Sequence, residues 1–472
     1  MNVTSSNNKA GGSAGIVGAL FLLISTITFM PSSLHGGDVL ASREIDELVK
    51  PAIDGHWVKG MVVGLINERD RQVIGYGSKS DQDETAPDGQ SVFEIGSITK
   101  TFTATLLADA VVRGQLELSD PVKKFLPPDV TAPTGADGRP ITLLDLTTHS
   151  SGLPRMPSNF APADPGNPYA DYTLKQMYDY LAILKLDREP GEKCVYSNLG
   201  VALLGNALAL HARLSYEDLL LDRICRPLKM SSTRIMFDDS MRSRLAPPYD
   251  PDGNRLETWD LPTFAGAGGI RSTADDMLRY LGAEIGLVKT DLTAALELSQ
   301  KPRRTFSRDN DICLGWFIDK KTGYHYHNGQ TGGYHSFAAF DPAKRLGVVV
   351  LANTAGGIPD LIGSRIVRRL YGQRVAPPPL PQTIAVKSDV IQRYAGEYKL
   401  GALAWCTIKQ VGDHLTARLT GQSSLRIYPE SRTTFFYKAV NAKITFETDA
   451  DGNTTALVLH QNGQDKRAKK TK

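Results

Sequence analysis

The sequence predicts an α+β (α/β) fold: an antiparallel sheet assembled from both ends of one large domain, flanked by helices and carrying a helical insert, then a small all-β domain. Three observations lead there. Strand-like apolar runs stand at 61–76 and return only after residue 314. Between about 140 and 300 the apolar spacing is helical and loop-broken. The proline-rich stretch Val375-Ala-Pro-Pro-Pro-Leu-Pro-Gln382 then sets off a tail that alternates strand and turn. Strands at both ends with helices between them imply one sheet built from both ends.

The chain has 472 residues, 41% apolar and 22% charged. That is the balance of a globular protein with room for a large core. The formal net charge is +3. The one basic cluster, Lys466 to Lys472, reads as a solvated chain end, so no nucleic-acid partner is expected. The four cysteines, Cys194, Cys225, Cys313 and Cys406, lie far apart in sequence and read as small buried hydrophobes.

No Asp, Glu, Lys or Arg occurs from Gly11 to Gly37, and 15–30 is mostly apolar. This predicts a secretory signal peptide within 1–40, or an uncleaved membrane anchor through 15–30. The expected location is exported, periplasmic or extracellular. Val39-Leu40-Ala41 offers a cleavage site. The expected division is then a large domain at 41–375, a linker at 376–384 and an antiparallel β accessory domain at 385–472.

Met61–Ile66 and Gln72–Tyr76 around the polar turn Asn67–Arg71 predict a β-hairpin. Phe102, Leu106 and Ala110 recur every four residues and predict an amphipathic helix opened by Ser97. Further helices are expected at Leu174–Leu184, Tyr216–Ile224 and Ala274–Ile285. Strands are expected at Leu314–Ile318, Tyr324–His327, His335–Phe340 and Leu346–Ala352. In the tail, Thr407–Val411 and His414–Leu419 flank Gly412-Asp413 as a hairpin. Asp449-Ala-Asp-Gly-Asn453 lacks the rest of a calcium loop and reads as a turn.

Chemistry concentrates in three stretches. In Ser97-Ile-Thr-Lys100 the lysine lies three residues on, on the same helix face as the serine. A serine hydroxyl needs a base, and a desolvated lysine can be one. In Tyr196-Ser-Asn198 a phenol beside a cationic lysine has a lowered pKa, and the asparagine both donates and accepts. In His327-Asn-Gly-Gln-Thr-Gly-Gly333 small residues between two strands leave backbone N–H groups to meet an oxyanion. Each pattern recurs nearby: Ser6-Asn-Asn-Lys9, Tyr326-His-Asn328, and Lys321-Thr-Gly323 at a hairpin tip. Only their combination, in order, is specific.

That combination resembles the class C β-lactamase and penicillin-binding-protein superfamily over about 45–375. Leu143-Leu-Asp-Leu-Thr-Thr-His-Ser-Ser-Gly-Leu-Pro154 and the stretch from His327 to Lys344 are similar to its family text. The resemblance implies a serine hydrolase acting through an acyl-enzyme on β-lactam, D-alanyl peptide or ester substrates, without a cofactor. The alternative is a penicillin-binding sensor that acylates without turnover. By resemblance Ser97 is the nucleophile, Lys100 its partner and Tyr196 the general acid/base. The backbone N–H groups of Ser97 and Gln330 form the oxyanion hole, and Asn198, His327, Gly329 and Thr331 bind substrate. Class C β-lactamases carry lysine where this chain has His327. A histidine is largely neutral at pH 7, which weakens a fixed field for a substrate carboxylate and points away from β-lactamase activity. No metal site is expected: His325, His327 and His335 lack a completing carboxylate or cysteine. Gly266-Ala-Gly-Gly269 lacks the lysine of a phosphate loop and reads as a close-packed turn. Specificity is expected in the Arg155–Asp171 loop.

Overall fold

A computed structural model describes residues 39–401, 404–422, 424–440, 442–461 and 463–471. The apolar run at 15–30 and the Ser6–Lys9 pattern lie outside the described residues. Among the described residues, no helix is long and apolar enough to cross a membrane.

The hairpin forms as β1 (Gly60–Ile66) and β2 (Arg71–Gly77). A short pair joins β3 (Val92–Glu94), before the helical insert, to β4 (Arg271–Thr273), within it. The later strands are β5 (Arg304–Thr305), β6 (Asn310–Ile312), β7 (Phe317–Asp319), β8 (His325–Gln330), β9 (His335–Asp341) and β10 (Leu346–Ala352). They join in an eight-stranded antiparallel sheet ordered β2-β1-β10-β9-β8-β7-β6-β5. The seam between the two ends of the chain is β1 against β10, with Val63 opposite Val350.

Strand periodicity sends alternate side chains to opposite faces. Met61, Val63, Leu65, Val348 and Val350 join one core cluster with the helices Ser42–Asp54 and Ile358–Leu370. Val62, Ala338, Phe340, Val349 and Leu351 join the other, under the helical insert. Both faces are therefore covered.

The apolar run Leu314–Phe317 is not a continuous strand. Gly315 takes φ +77°, Cys313 N–H donates to Trp316 O at 2.8 Å, and the segment turns. Its apolar residues are there for burial, with Leu314 and Trp316 fully covered. The helix after Ser97 also departs from expectation. Gly96–Ile98 form a 3₁₀ turn that runs into the helix Thr99–Val112. Every residue from Thr99 to Ala110 is buried, so the helix is central rather than amphipathic. Its threonines are satisfied across the fold: Thr103 Oγ1 donates to Gly266 O at 2.7 Å, and Thr105 Oγ1 meets the Tyr280 hydroxyl at 2.9 Å.

Residues 373–387 form neither helix nor strand. Eight strands from Gly396–Lys399 to Gln464–Lys470 close into an antiparallel barrel. It docks by aromatic stacking of Phe436 on Trp57 at 5.2 Å between centroids. Lys438 Nζ donates to His56 O at 2.9 Å, and the Tyr428 hydroxyl donates to Asp252. All four cysteines are free; Cys225, Cys313 and Cys406 are buried and Cys194 is half-buried.

Candidate active site

The fold brings Ser97 of the Ser97–Lys100 pair into a cleft of about 610 Å³. Ser97, Tyr196, Asn198, Gly329, Gln330 and Thr331 line it. Lys100 lies just beneath, 1% exposed. Its Nζ stands 2.8 Å from Ser97 Oγ and 2.6 Å from Ala267 O. Burial, reinforced by the Arg155 charge, holds the Lys100 amine well below the usual lysine range. As an ammonium Lys100 donates to both oxygens; once deprotonated it can keep one N–H on Ala267 O and turn its lone pair to the Ser97 hydroxyl.

Two glycines make the approach of β8 possible. Gly96 takes φ +50°, and a Cβ there would stand 2.6 Å from Gln330 N. A Cβ on Gly329 would stand 2.0 Å from Ile95 O and 2.7 Å from Ser97 N. Neither position has room for a side chain. The backbone nitrogens of Ser97 and Gln330 are thereby brought to the same end of the cleft.

The Tyr196 hydroxyl interacts with that of Ser97, and Lys100 Nζ lies 5.0 Å from the centre of its ring. The expected lowered phenol is overturned. Burial pushes Tyr196 up to about 12, partly offset by Ser97 and by Arg155. The premise fails because burial disfavours the phenolate by more than Ser97 and Arg155 favour it.

His327 also departs from the sequence reading. It is 0% exposed and does not line the cleft, so it is not placed to touch substrate. Its Nδ1 lies 2.6 Å from Asn328 O, which assigns the proton to Nδ1. Burial, with repulsion from Lys100, lowers it to about 3. The lowered value agrees with the sequence expectation that histidine here weakens the fixed positive field a lysine would supply; only the position beneath the cleft wall was not expected. His325 stacks on Phe340 and bonds Gln300 O, while His335 pairs with Gln330 and Asp360. Among the described residues no cluster of three metal-ligating side chains occurs. The rejected Lys321–Gly323 pattern sits in the tight turn between β7 and β8.

Asn198 opens the helix Asn198–Ala212, capped by Ser197, whose Oγ accepts the Gly200 N–H at 2.9 Å. Its Nδ2 reaches Met156 Sδ at 3.7 Å, and its buried Oδ1 has no partner among the described residues.

Two supports were missed in sequence. His149 clasps Tyr196 on three sides: its carbonyl accepts the Val195 N–H at 2.7 Å, its Nδ1 accepts the Ser197 N–H at 3.2 Å, and its ring lies 4.4 Å from the tyrosine ring. The signal was the stretch Leu143–Pro154 that contains it. The other is Ala265–Gly268, read as a turn; it is a short helix whose Ala267 carbonyl holds Lys100.

Glu94 braces the far wall. Its Oε1 accepts the Trp259 N–H at 2.8 Å, Arg271 lies at 3.6 Å, and the Thr331 hydroxyl is beside it. Burial raises Glu94 to about 7 despite Arg271. With the folded value raised, the group's stabilisation is complete below its ordinary 4.5 and is lost as pH rises through about 7. Glu94→Gln keeps the neutral form at all pH. Chemical denaturation should therefore show the variant gaining on the parent by about 2–3 kcal/mol between pH 4 and pH 8.5. Parallel stability curves for the two proteins would reject a buried carboxyl that titrates there.

Residues 45–373 match the family model described as Beta-lactamase. The chain belongs to the beta-lactamase family. It is a serine hydrolase of that family, with the family's sheet and helices. A second family model, a domain of unknown function (DUF3471), matches 380–470. The chain is 29% identical over 351 residues to the D-alanyl-D-alanine-carboxypeptidase/endopeptidase AmpH of Escherichia coli, covering 68% of this chain and 89% of that protein. Among solved structures it resembles a beta-lactamase/D-alanine carboxypeptidase of Yersinia pestis complexed with citrate, at 26% identity and TM-score 0.62, over 70% of this chain and 98% of the other. The octameric penicillin-binding protein homologue of Pyrococcus abyssi shares the fold at 21% identity and TM-score 0.63, over 91% of this chain and all of that one.

Proposed function

We propose that this beta-lactamase-family enzyme hydrolyses D-alanyl peptides through an acyl-enzyme on Ser97. The observation that carries the reading is the Lys100 amine, 2.8 Å from Ser97 Oγ and held neutral by burial at the floor of an open cleft. Neutral Lys100 takes the hydroxyl proton as Oγ bonds the substrate carbonyl carbon. The backbone N–H groups of Ser97 and Gln330 receive the oxyanion. Tyr196, protonated at rest, gives its proton to the departing amine as the C–N bond breaks, and the Lys100 ammonium restores it. Water then attacks the ester carbonyl as Lys100 takes its proton, and Lys100 passes that proton to Ser97 Oγ as the acyl C–O bond breaks, which restores the free serine and the neutral amine.

Asn198 supplies the free acceptor that a peptide N–H needs. The neutral His327 and the name of the AmpH relative support a D-alanyl peptide over a β-lactam. The uncharged run Gly11–Gly37 supports an exported enzyme. The test is a panel of a D-Ala-D-Ala peptide, nitrocefin and a short-chain p-nitrophenyl ester. D-Alanine release should exceed nitrocefin turnover. A burst of acylation without a steady state would replace this reading by that of an acylating binder.

A further inference from the structure

The cleft holds one guanidinium, and the reaction has not used it. Arg155 is exposed and lines the cleft, whose described lining contains no carboxylate. Its backbone is fixed: Arg155 O accepts the N–H groups of Asn198 and Leu199 at 3.0 and 3.2 Å. Its guanidinium carbon stands 5.2 Å from the centre of the Tyr196 ring. The charge reaches the reacting groups, since it contributes to the lowered values of Lys100 and His149.

A second recess opens from the cleft, sharing Ser97, Asn198, Tyr169 and Trp259 with it, and runs back to Leu261 and Phe264 with no charged side chain of its own. It suits an uncharged acyl portion. Arg155 instead stacks on Tyr196, the group that protonates the departing amine. In a free amino acid the carboxylate is separated from the amine by a single carbon, so a leaving amine beside Tyr196 brings its carboxylate to that side. A guanidinium offers a planar fork of donors matched to a carboxylate. His327 is buried and neutral and leaves that role open.

We infer that Arg155 binds the C-terminal carboxylate of the leaving amino acid and so selects carboxypeptidase over endopeptidase substrates. The inference rests on the D-alanyl peptide reading above. The experiment compares a D-Ala-D-Ala peptide bearing a free carboxylate with its C-terminal amide, in the full chain and in Arg155→Gln and Arg155→Lys. The parent should prefer the acid by about 10- to 100-fold in kcat/KM, the range of charge-assisted hydrogen bonds. Arg155→Gln should bring the ratio to within about threefold, mainly through KM for the acid, and Arg155→Lys should recover part of it. A ratio near one in the parent, or one unchanged in Arg155→Gln, overturns the assignment. Fluorophosphonate labelling of Ser97 in the parent separates the two failures. Labelling with no acid preference removes only the role of Arg155, whereas no labelling removes the acyl-enzyme itself.

Discussion

Ser97→Ala is expected to lower peptide and ester turnover by a factor on the order of 10⁴–10⁶ and to abolish labelling by fluorescent penicillin or fluorophosphonate. In the proposed mechanism the proton path of Lys100 and Tyr196 ends at one oxygen, so its removal would leave only binding and the backbone donors. Stability should change little, because Ser97 is only half-buried and its hydroxyl faces the cleft. Thermal unfolding of the variant separates lost chemistry from lost fold. The result that would sink the assignment is labelling retained at another serine, mapped by peptide mass.

The order of the motifs was legible because each depends on short spacing. Lys100 follows Ser97 by one helical turn, and the glycines 96 and 329 flank the points of closest approach. The hairpin 61–76 and the closing strands 335–352 were legible from alternation, since both faces of the sheet are covered by separate core clusters. The barrel tail was legible as alternating strands, though its closure depends on the first strand pairing the last, Tyr398 with Lys470.

The charge states were not legible. They depend on burial, and burial here is set by residues far away in sequence. The helix Thr99–Val112 reads as amphipathic from Phe102, Leu106 and Ala110, yet its threonines point to different sides and all are covered. Thr103 meets Tyr216 and Gly266, and Thr105 meets Tyr280, each more than 100 positions away. The same packing dries Lys100 and reverses the expected direction at Tyr196. His327 likewise sits in β8 between covered faces, where alternation alone cannot say whether a ring reaches the cleft.

Lys100→Met should lower acylation by about 10²–10⁴-fold, the range of a positioned general base, and the parent's pH profile should show why. The ammonium cannot accept the Ser97 proton, so kcat/KM should rise with pH as Lys100 deprotonates. Burial places that limb well below the usual lysine value of 10.5. Tyr196 must be protonated to serve the leaving amine, and it stays so until about 12. His149 and His327 are held neutral across the same range and should add no limb of their own. In Glu94→Gln, which removes the wall carboxyl that titrates near 7, the profile is thus a rise to a plateau that persists to at least pH 10, with a single ascending ionisation. An ascending limb near 10.5 would mean that Lys100 rests as a cation and another group takes the proton. A descending limb between pH 7 and 10 would instead give the acid role to a group other than Tyr196. Because Arg155 is the one charge that depresses Lys100, the ascending limb should move to higher pH in Arg155→Gln, which ties the proton path to the cleft wall by an independent measurement.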